Sequence, residues 1–186
     1  MRIISGQLKG KSILFIKNNT TRPLKDSVKE NIFNILEHSN LIEVKIKNAN
    51  ILDLYSGTGS FGLEGISREA NKVVFVEQNK NALDLLEKNL LNLTNSKKVN
   101  VIKDKAENIH IWAKRNEFNV FFLDPPFSDF QFIQTLKVIE KNKIFQKKHI
   151  IIIHRERKTK DKIGDFFNPL IVKEYGRSKI IFGKFN

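Results

Sequence analysis

The chain has 186 residues, enough for one substantial core and too few for two ordinary domains. Its 33 Lys and Arg against 20 Asp and Glu leave a net charge of +13. That excess favours a polyanionic partner, nucleic acid first, because clustered cations gain affinity by displacing phosphate counterions; drift of composition toward Lys, Ile and Asn is the bland alternative. Cysteine is absent, which excludes disulfides, thiolate nucleophiles and Cys-based zinc or iron–sulfur sites.

Histidines are few and scattered. His149 and His154 are five apart, on no common helical face, so no metal site is expected. The N-terminus shows no signal-peptide pattern, and the apolar run His149–Ile153 is far short of the ~20 residues that span a bilayer. A cytoplasmic protein is expected.

Residues 1–48 form a basic, irregular extension. The runs Ile3-Ile4-Ser5-Gly6 and Ile13-Leu14-Phe15-Ile16 read as a β-hairpin or paired edge strands, and Val28, Ile32, Ile35 and Leu36 recur at helical spacing between Leu24 and His38. Arg2, Lys9, Lys11, Arg22, Lys25 and Lys29 are the candidate phosphate contacts here. A second basic segment, Lys141 to Lys162, holds nine cations against Glu156 and Asp161. A solvated face is the default reading for any one of these residues, whereas two basic segments bracketing a reactive rim favour tracking of a nucleic-acid backbone.

From residue 49 strands and helices alternate. Apolar strands are expected at 51–52, 73–76, 99–102, 120–123 and 149–153, with helices at about 60–69, 81–93, 106–115 and 129–141. Wholly apolar strands separated by helices mean a parallel sheet covered on both faces, a Rossmann-like, doubly wound α/β fold. Leu170-Ile171-Val172 and Ile180-Ile181-Phe182 flank Tyr175-Gly176-Arg177-Ser178, an antiparallel hairpin closing the sheet.

Two loops carry the chemistry. Asp53-Leu54-Tyr55-Ser56-Gly57-Thr58-Gly59-Ser60-Phe61-Gly62 lies between the first core strand and its helix, where open sheets bind ligands. Gly57-x-Gly59-x-x-Gly62 with Glu77 at the end of the next strand matches a dinucleotide fingerprint, so a nicotinamide cofactor is one reading. A glycine turn kept for packing is another. Asp53 argues for a third, because a carboxylate there repels a pyrophosphate and attracts the ammonium and sulfonium of S-adenosylmethionine.

The second loop, Asp124-Pro125-Pro126-Phe127, follows an apolar strand on the same rim. Two prolines cannot continue a ladder or helix and leave carbonyls free as acceptors. An exocyclic base amine needs acceptors for its N–H groups before its lone pair becomes nucleophilic, and Phe127 can stack on the base. A plain proline turn with an N-cap Asp remains the alternative. Asp104 suits either the adenine amino group of a cofactor or a helix N-cap.

Arg2-Ile3-Ile4-Ser5-Gly6-Gln7 with Gly10, Thr21-Arg22-Pro23 with Asp26, Val28, Lys29, Glu30 and Phe33, and the two loops with Leu63-Glu64 and Ser67-Arg68 resemble the RsmD-type guanine-N2 methyltransferases of bacterial small-subunit ribosomal RNA. The resemblance covers nearly the full length. It implies a class I methyltransferase fold with a seven-stranded sheet over one domain, 1–186, of which 49–186 is the catalytic core. It also implies an S-adenosylmethionine site formed by Asp53, Tyr55, Ser56, Gly57, Thr58, Gly59, Glu77, Gln78 and Asp124, with Asp104, Lys105 and Ala106 at the adenine end. A target-base role falls to Asp124, Pro125, Pro126 and Phe127. The implied partner is ribosomal RNA within an assembling small subunit, met by a monomer. Adenine or cytosine amino groups, a nicotinamide oxidoreductase and a simple RNA-binding module are the other readings. His154 stands where the family often has an acidic residue and receives no role.

Overall fold

In the computed structural model, which describes residues 1–16, 24–94 and 97–186, apolar runs become the strands of one seven-stranded sheet. The elements in chain order are α1 (Asp26–His38), β1 (Asn50–Leu54), α2 (Ser60–Ser67), β2 (Lys72–Val76), α3 (Lys80–Leu93), β3 (Val99–Ile102), a 3₁₀ turn (Ala106–Asn108) running into α4 (Ile109–Trp112), β4 (Phe118–Leu123), α5 (Gln131–Lys141), β5 (Phe145–Glu156), β6 (Phe167–Tyr175) and β7 (Ser178–Phe185). The strand order is β3-β2-β1-β4-β5-β7-β6. The first five strands pair in parallel, and β7 lies antiparallel between β5 and β6.

Successive strand residues point to opposite faces, so each face has its own core. Ile51, Val73, Phe75, Val120, Phe122, Ile150 and Ile152 pack with α1, α2, α3 and the N-terminal segment. Leu52, Leu54, Val74, Val76, Phe121, Leu123, Ile151 and Ile153 pack with Ala106, Ile109 and α5. Strand order reverses at β1 and β4, which separate the half that runs to β3 from the half that runs to β6. The carboxyl ends of these two strands are where the glycine loop and the proline loop begin, the position at which open sheets form ligand crevices.

Three expectations change. The N-terminal hairpin shrinks to a single antiparallel bridge, Arg2 with Ser12. Ile3 and Ile13 still donate across the arms to the Lys11 and Met1 carbonyls, but other groups claim the rest of the backbone: the amides of Ile4 and Ser5 donate to the Glu64 carboxylate, that of Gln7 to the Ser67 carbonyl, and Leu14 pairs through both amide and carbonyl with the Asn89 side chain. The helix expected at 106–115 stops at Trp112, because Ala113 is extended and the Lys114 amide turns to the Glu117 carboxylate. β5 runs well beyond 149–153 at both ends, since Phe145 pairs with Phe118 of β4 and pairing with β7 carries the strand through Glu156. That extension sets His154 and Arg155 in the sheet at the rim. Thr21, Arg22 and Pro23 lie outside the described residues.

Candidate active site

The glycine and proline loops enclose one cavity of about 1280 Å³. Asp53, Tyr55, Ser56, Gly57 and Thr58 line it from β1, Glu77 and Gln78 from β2, Asp104 and Ala106 from beyond β3, and Asp124 to Phe127 from β4. Met1, Phe15, Ile16 and Leu24 add a wall, so the N-terminal segment is part of the site. The cavity does not include Gly59 or Lys105. Gly59 turns away, and a Cβ on it would stand 2.5 Å from Leu86, so with φ +88° it serves the turn and its packing. Lys105 only donates its amide to the Asp104 carboxylate.

The loop after β1 is held in tight left-handed turns, with Tyr55 at φ 61° and Gly57 at 56°. A non-glycine residue in that region is strained and persists only where its surroundings fix it. Glu77 does much of the fixing: it accepts the amides of Gly57 at 2.8 Å, Gln78 at 2.9 Å and Asn79 at 2.8 Å. Three of roughly four lone-pair directions are thereby used, which leaves one for a ligand hydroxyl. Nothing stands within 4 Å of a Cβ built on Gly57, so the loop backbone is open to close approach by a ligand.

Asp53 is 1% exposed. One carboxylate oxygen accepts the Gly62 amide at 2.9 Å, while Oδ1 is buried without a partner, as is the Ser56 hydroxyl. Burial pushes the Asp53 pKa well above the usual range; the Gly62 amide opposes this, and the nearby charges of Asp124 and Glu77 add to it. Such a carboxylate gains by meeting a cation. It also takes the Gly62 amide in the first turn of α2, a donor that a pyrophosphate at this helix end would need. The donor set therefore fits a ligand with an ammonium, such as S-adenosylmethionine, and disfavours a dinucleotide. Asp104 is committed in part, its Oδ1 accepting the Lys105 amide at 2.7 Å and the Asn108 side chain at 2.8 Å.

The proline loop is gripped by two consecutive residues of β5. His154 Nδ1 lies 2.8 Å from Asp124 Oδ1 and its Nε2 lies 2.9 Å from the Ser178 hydroxyl. The Phe127 ring meets His154 edge-on at 5.6 Å. Arg155, fully buried, donates to the carbonyls of Pro126 at 3.1 Å and Phe127 at 2.9 Å. The Nη2 that reaches Phe127 also lies 3.0 Å from the buried Asp161 carboxylate, to which Nε donates as well, and the guanidinium lies 4.6 Å from the Phe132 ring centroid. The carbonyls beyond Pro125 are thus spent, and among the described residues no donor takes that of Pro125. His154, Arg155, Asp161 and Ser178 are not evident as site residues from sequence alone. A charged residue directly behind an all-apolar strand was the available signal for Arg155.

Of the expected phosphate contacts, Arg2, Lys9, Lys11 and Lys25 are exposed, and Arg22 is outside the described residues. Lys29 is a correction, because it is buried completely. Its ammonium donates to the Arg2 carbonyl at 2.8 Å and the Ser60 hydroxyl at 3.2 Å and lies 3.7 Å from Glu64. Burial pulls its pKa down, Glu64 resists, and the charge ties the N-terminal segment to α1 and α2. Among the described residues no three His, Cys, Asp or Glu gather as metal ligands, and no helix is long and apolar enough to cross a membrane.

Comparison with known proteins supplies the family. The family model described as Conserved hypothetical protein 95 matches residues 1–184. Ribosomal RNA small subunit methyltransferase D of Buchnera aphidicola subsp. Baizongia pistaciae is 32% identical, over 97% of this chain and 88% of its own length. The protein of the same name from Haemophilus influenzae is 32% identical, over 94% and 83%. Among solved structures, yhhF of Escherichia coli, named as a methyltransferase, superposes with a TM-score of 0.82 at 25% identity, covering 98% of this chain and 96% of that one. The chain belongs to the RsmD family, that of ribosomal RNA small subunit methyltransferase D.

Proposed function

We propose that the protein transfers a methyl group from S-adenosylmethionine to the exocyclic N2 amine of a guanine in small-subunit ribosomal RNA. The observation that carries this reading is the shared cavity: a buried carboxylate with one unpartnered oxygen, Asp53 Oδ1, and an acceptor array at Asp124 and Pro125 face the same space. The relatives' names support ribosomal RNA as the substrate class. The resemblance of the N-terminal and Asp124–Phe127 segments supports guanine.

When bound, S-adenosylmethionine supplies an electrophilic methyl on a positively charged sulfur. The protein's work is placement. Asp53 Oδ1 and Ser56 hold the amino-acid end, Glu77 has one acceptor position left for the ribose, and Asp104 with Ala106 closes the far end. Asp124 and the Pro125 carbonyl accept the two N–H groups of the target amine. That draws its lone pair out of the ring and points it along the line of attack, the step in which positioning supplies most of the rate. Phe127, set perpendicular to the His154 ring, is the aromatic side chain of the loop on which the extruded base would stack. Exposed Arg2, Lys9, Lys11 and Lys25 and the basic segment after β5 supply phosphate contacts around the rim.

Calorimetric titration tests the cofactor half. S-adenosylhomocysteine should bind and the oxidised nicotinamide dinucleotide should not, and binding of the dinucleotide alone contradicts the reading. Asp124→Ala tests the chemistry: RNA binding should persist while methyl transfer is lost, and transfer at the normal rate removes Asp124 from the mechanism.

A further inference from the structure

His154 holds two specific hydrogen bonds at the rim of the site. It is 5% exposed, lines the cavity, and sits at the β5 rim with both ring nitrogens engaged. A carboxylate only accepts hydrogen bonds, so the hydrogen shared with Asp124 belongs on Nδ1. In the neutral ring Nε2 then accepts from the Ser178 hydroxyl, so Asp124 selects the tautomer and Ser178 holds the ring. Ser178 is paired with Glu156 across the β5–β7 ladder, so the orienting hydroxyl comes from rigid sheet. One Asp124 oxygen is thereby pinned, and among the described residues no hydrogen bond uses the other, Oδ2, in the side chain that lines the cavity.

We propose that His154 is a positioning residue for the transfer step: its Nδ1–H locks the Asp124 carboxylate in one orientation so that Oδ2 meets the incoming amine, with Ser178 holding the imidazole. This rests on the methyl-transfer reading above and assigns a role that the chain's resemblance to its relatives does not supply, since an acidic side chain at this position would repel Asp124 rather than orient it. The arrangement follows the logic by which a third group orients a catalytic pair.

The test separates the two ends of the ring. In His154→Asn the amide nitrogen stands where Nδ1 stood; in His154→Gln it reaches the place of Nε2 and leaves Asp124 without its donor. Single-turnover transfer should fall about tenfold to a hundredfold in His154→Gln, as expected for a misplaced acceptor, and should recover largely in His154→Asn. KM for undermethylated small ribosomal subunits and the affinity for S-adenosylhomocysteine should hold in both. A merely structural histidine would give equal losses in the two variants, or matched losses of thermal stability and rate; either result, or an unchanged rate in His154→Gln, overturns the proposal. Imidazole ¹⁵N shifts of the wild-type protein test the same hydrogen bond independently of activity: a hydrogen on Nδ1 is required, and an Nε2–H tautomer refutes the proposal. If wild-type protein transfers no methyl group to these subunits, the functional reading fails while the ¹⁵N result still decides the hydrogen bond.

Discussion

Arg155 donates from Nη2 to the Phe127 carbonyl at 2.9 Å while pairing with Asp161 at 3.0 Å, so the loop that carries Asp124 hangs from a buried ion pair. Removing one partner of such a pair leaves an uncompensated charge, at a cost of about 3–5 kcal/mol. Arg155→Ala should therefore lower the melting temperature by many degrees. Arg155→Lys is more informative. It keeps the charge opposite Asp161, but a single ammonium cannot span two carbonyls and a carboxylate as the planar fork does. Methyl transfer should drop about tenfold or more with S-adenosylhomocysteine affinity unchanged, and calorimetry beside a single-turnover assay checks both.

Asp53 predicts a proton linkage. Its folded pKa is raised by burial, so in the unliganded protein the folded state holds a proton that the unfolded chain releases. The associated stability is present below the ordinary carboxylate range and is lost as pH climbs through the raised value. A bound ammonium reverses the preference and favours the ionised form. Affinity for S-adenosylhomocysteine should rise with pH across that window, with a proton released on binding. Calorimetry in two buffers of different ionisation heat measures the release, and Asp53→Asn should abolish it and weaken binding.

Lysines on the rim and the lysine beneath it should part company. Replacing Lys9, Lys11 and Lys25 together by Ala should reduce the slope of log affinity for ribosomal RNA against log salt by about 2, at roughly 0.7 per single-stranded phosphate contact. The same triple replacement at Lys158, Lys160 and Lys162, all exposed after β5, should do likewise. Lys29→Met should leave the slope alone and change thermal stability instead, because that ammonium serves Glu64, Ser60 and the Arg2 carbonyl.

Gly6 sits at φ +82°, and a Cβ there would lie 1.9 Å from the Ser67 carbonyl oxygen. Gly6→Ala forces the turn off α2 and should destabilise the N-terminal segment by about 1–3 kcal/mol. Faster hydrogen exchange at the amides of Ile4, Ser5 and Gln7, which donate to Glu64 and Ser67, would report the detachment.

The doubly wound sheet was legible because β1, β2, β4 and the middle of β5 are apolar on both faces, and the glycine and proline loops because they begin where those strands end. What stayed hidden depends on partners far along the chain. Asp124 and His154 are 30 residues apart, and no periodicity links them. β5 looked short because polar residues flank its apolar core at both ends, and its strand geometry there comes from β4 at Phe145 and from β7 at Arg155 and Glu156. Lys29 looked like its exposed neighbours; only the fold brings Glu64 beneath it. The expected hairpin forms only in part for a related reason, since Ile3 and Ile13 pair across it while the amides of Ile4, Ser5 and Gln7 turn to acceptors on α2.

On the proposed function, Asp53 and Asp124 serve one reaction, methylation of a ribosomal RNA guanine. Incubation with radiolabelled S-adenosylmethionine and undermethylated small ribosomal subunits, followed by nucleoside analysis, tests it most directly. N2-methylguanosine should carry the label, and Asp124→Ala should leave none. Label in a methylated adenosine or cytidine would contradict the guanine assignment, and no label in RNA would contradict the account as a whole.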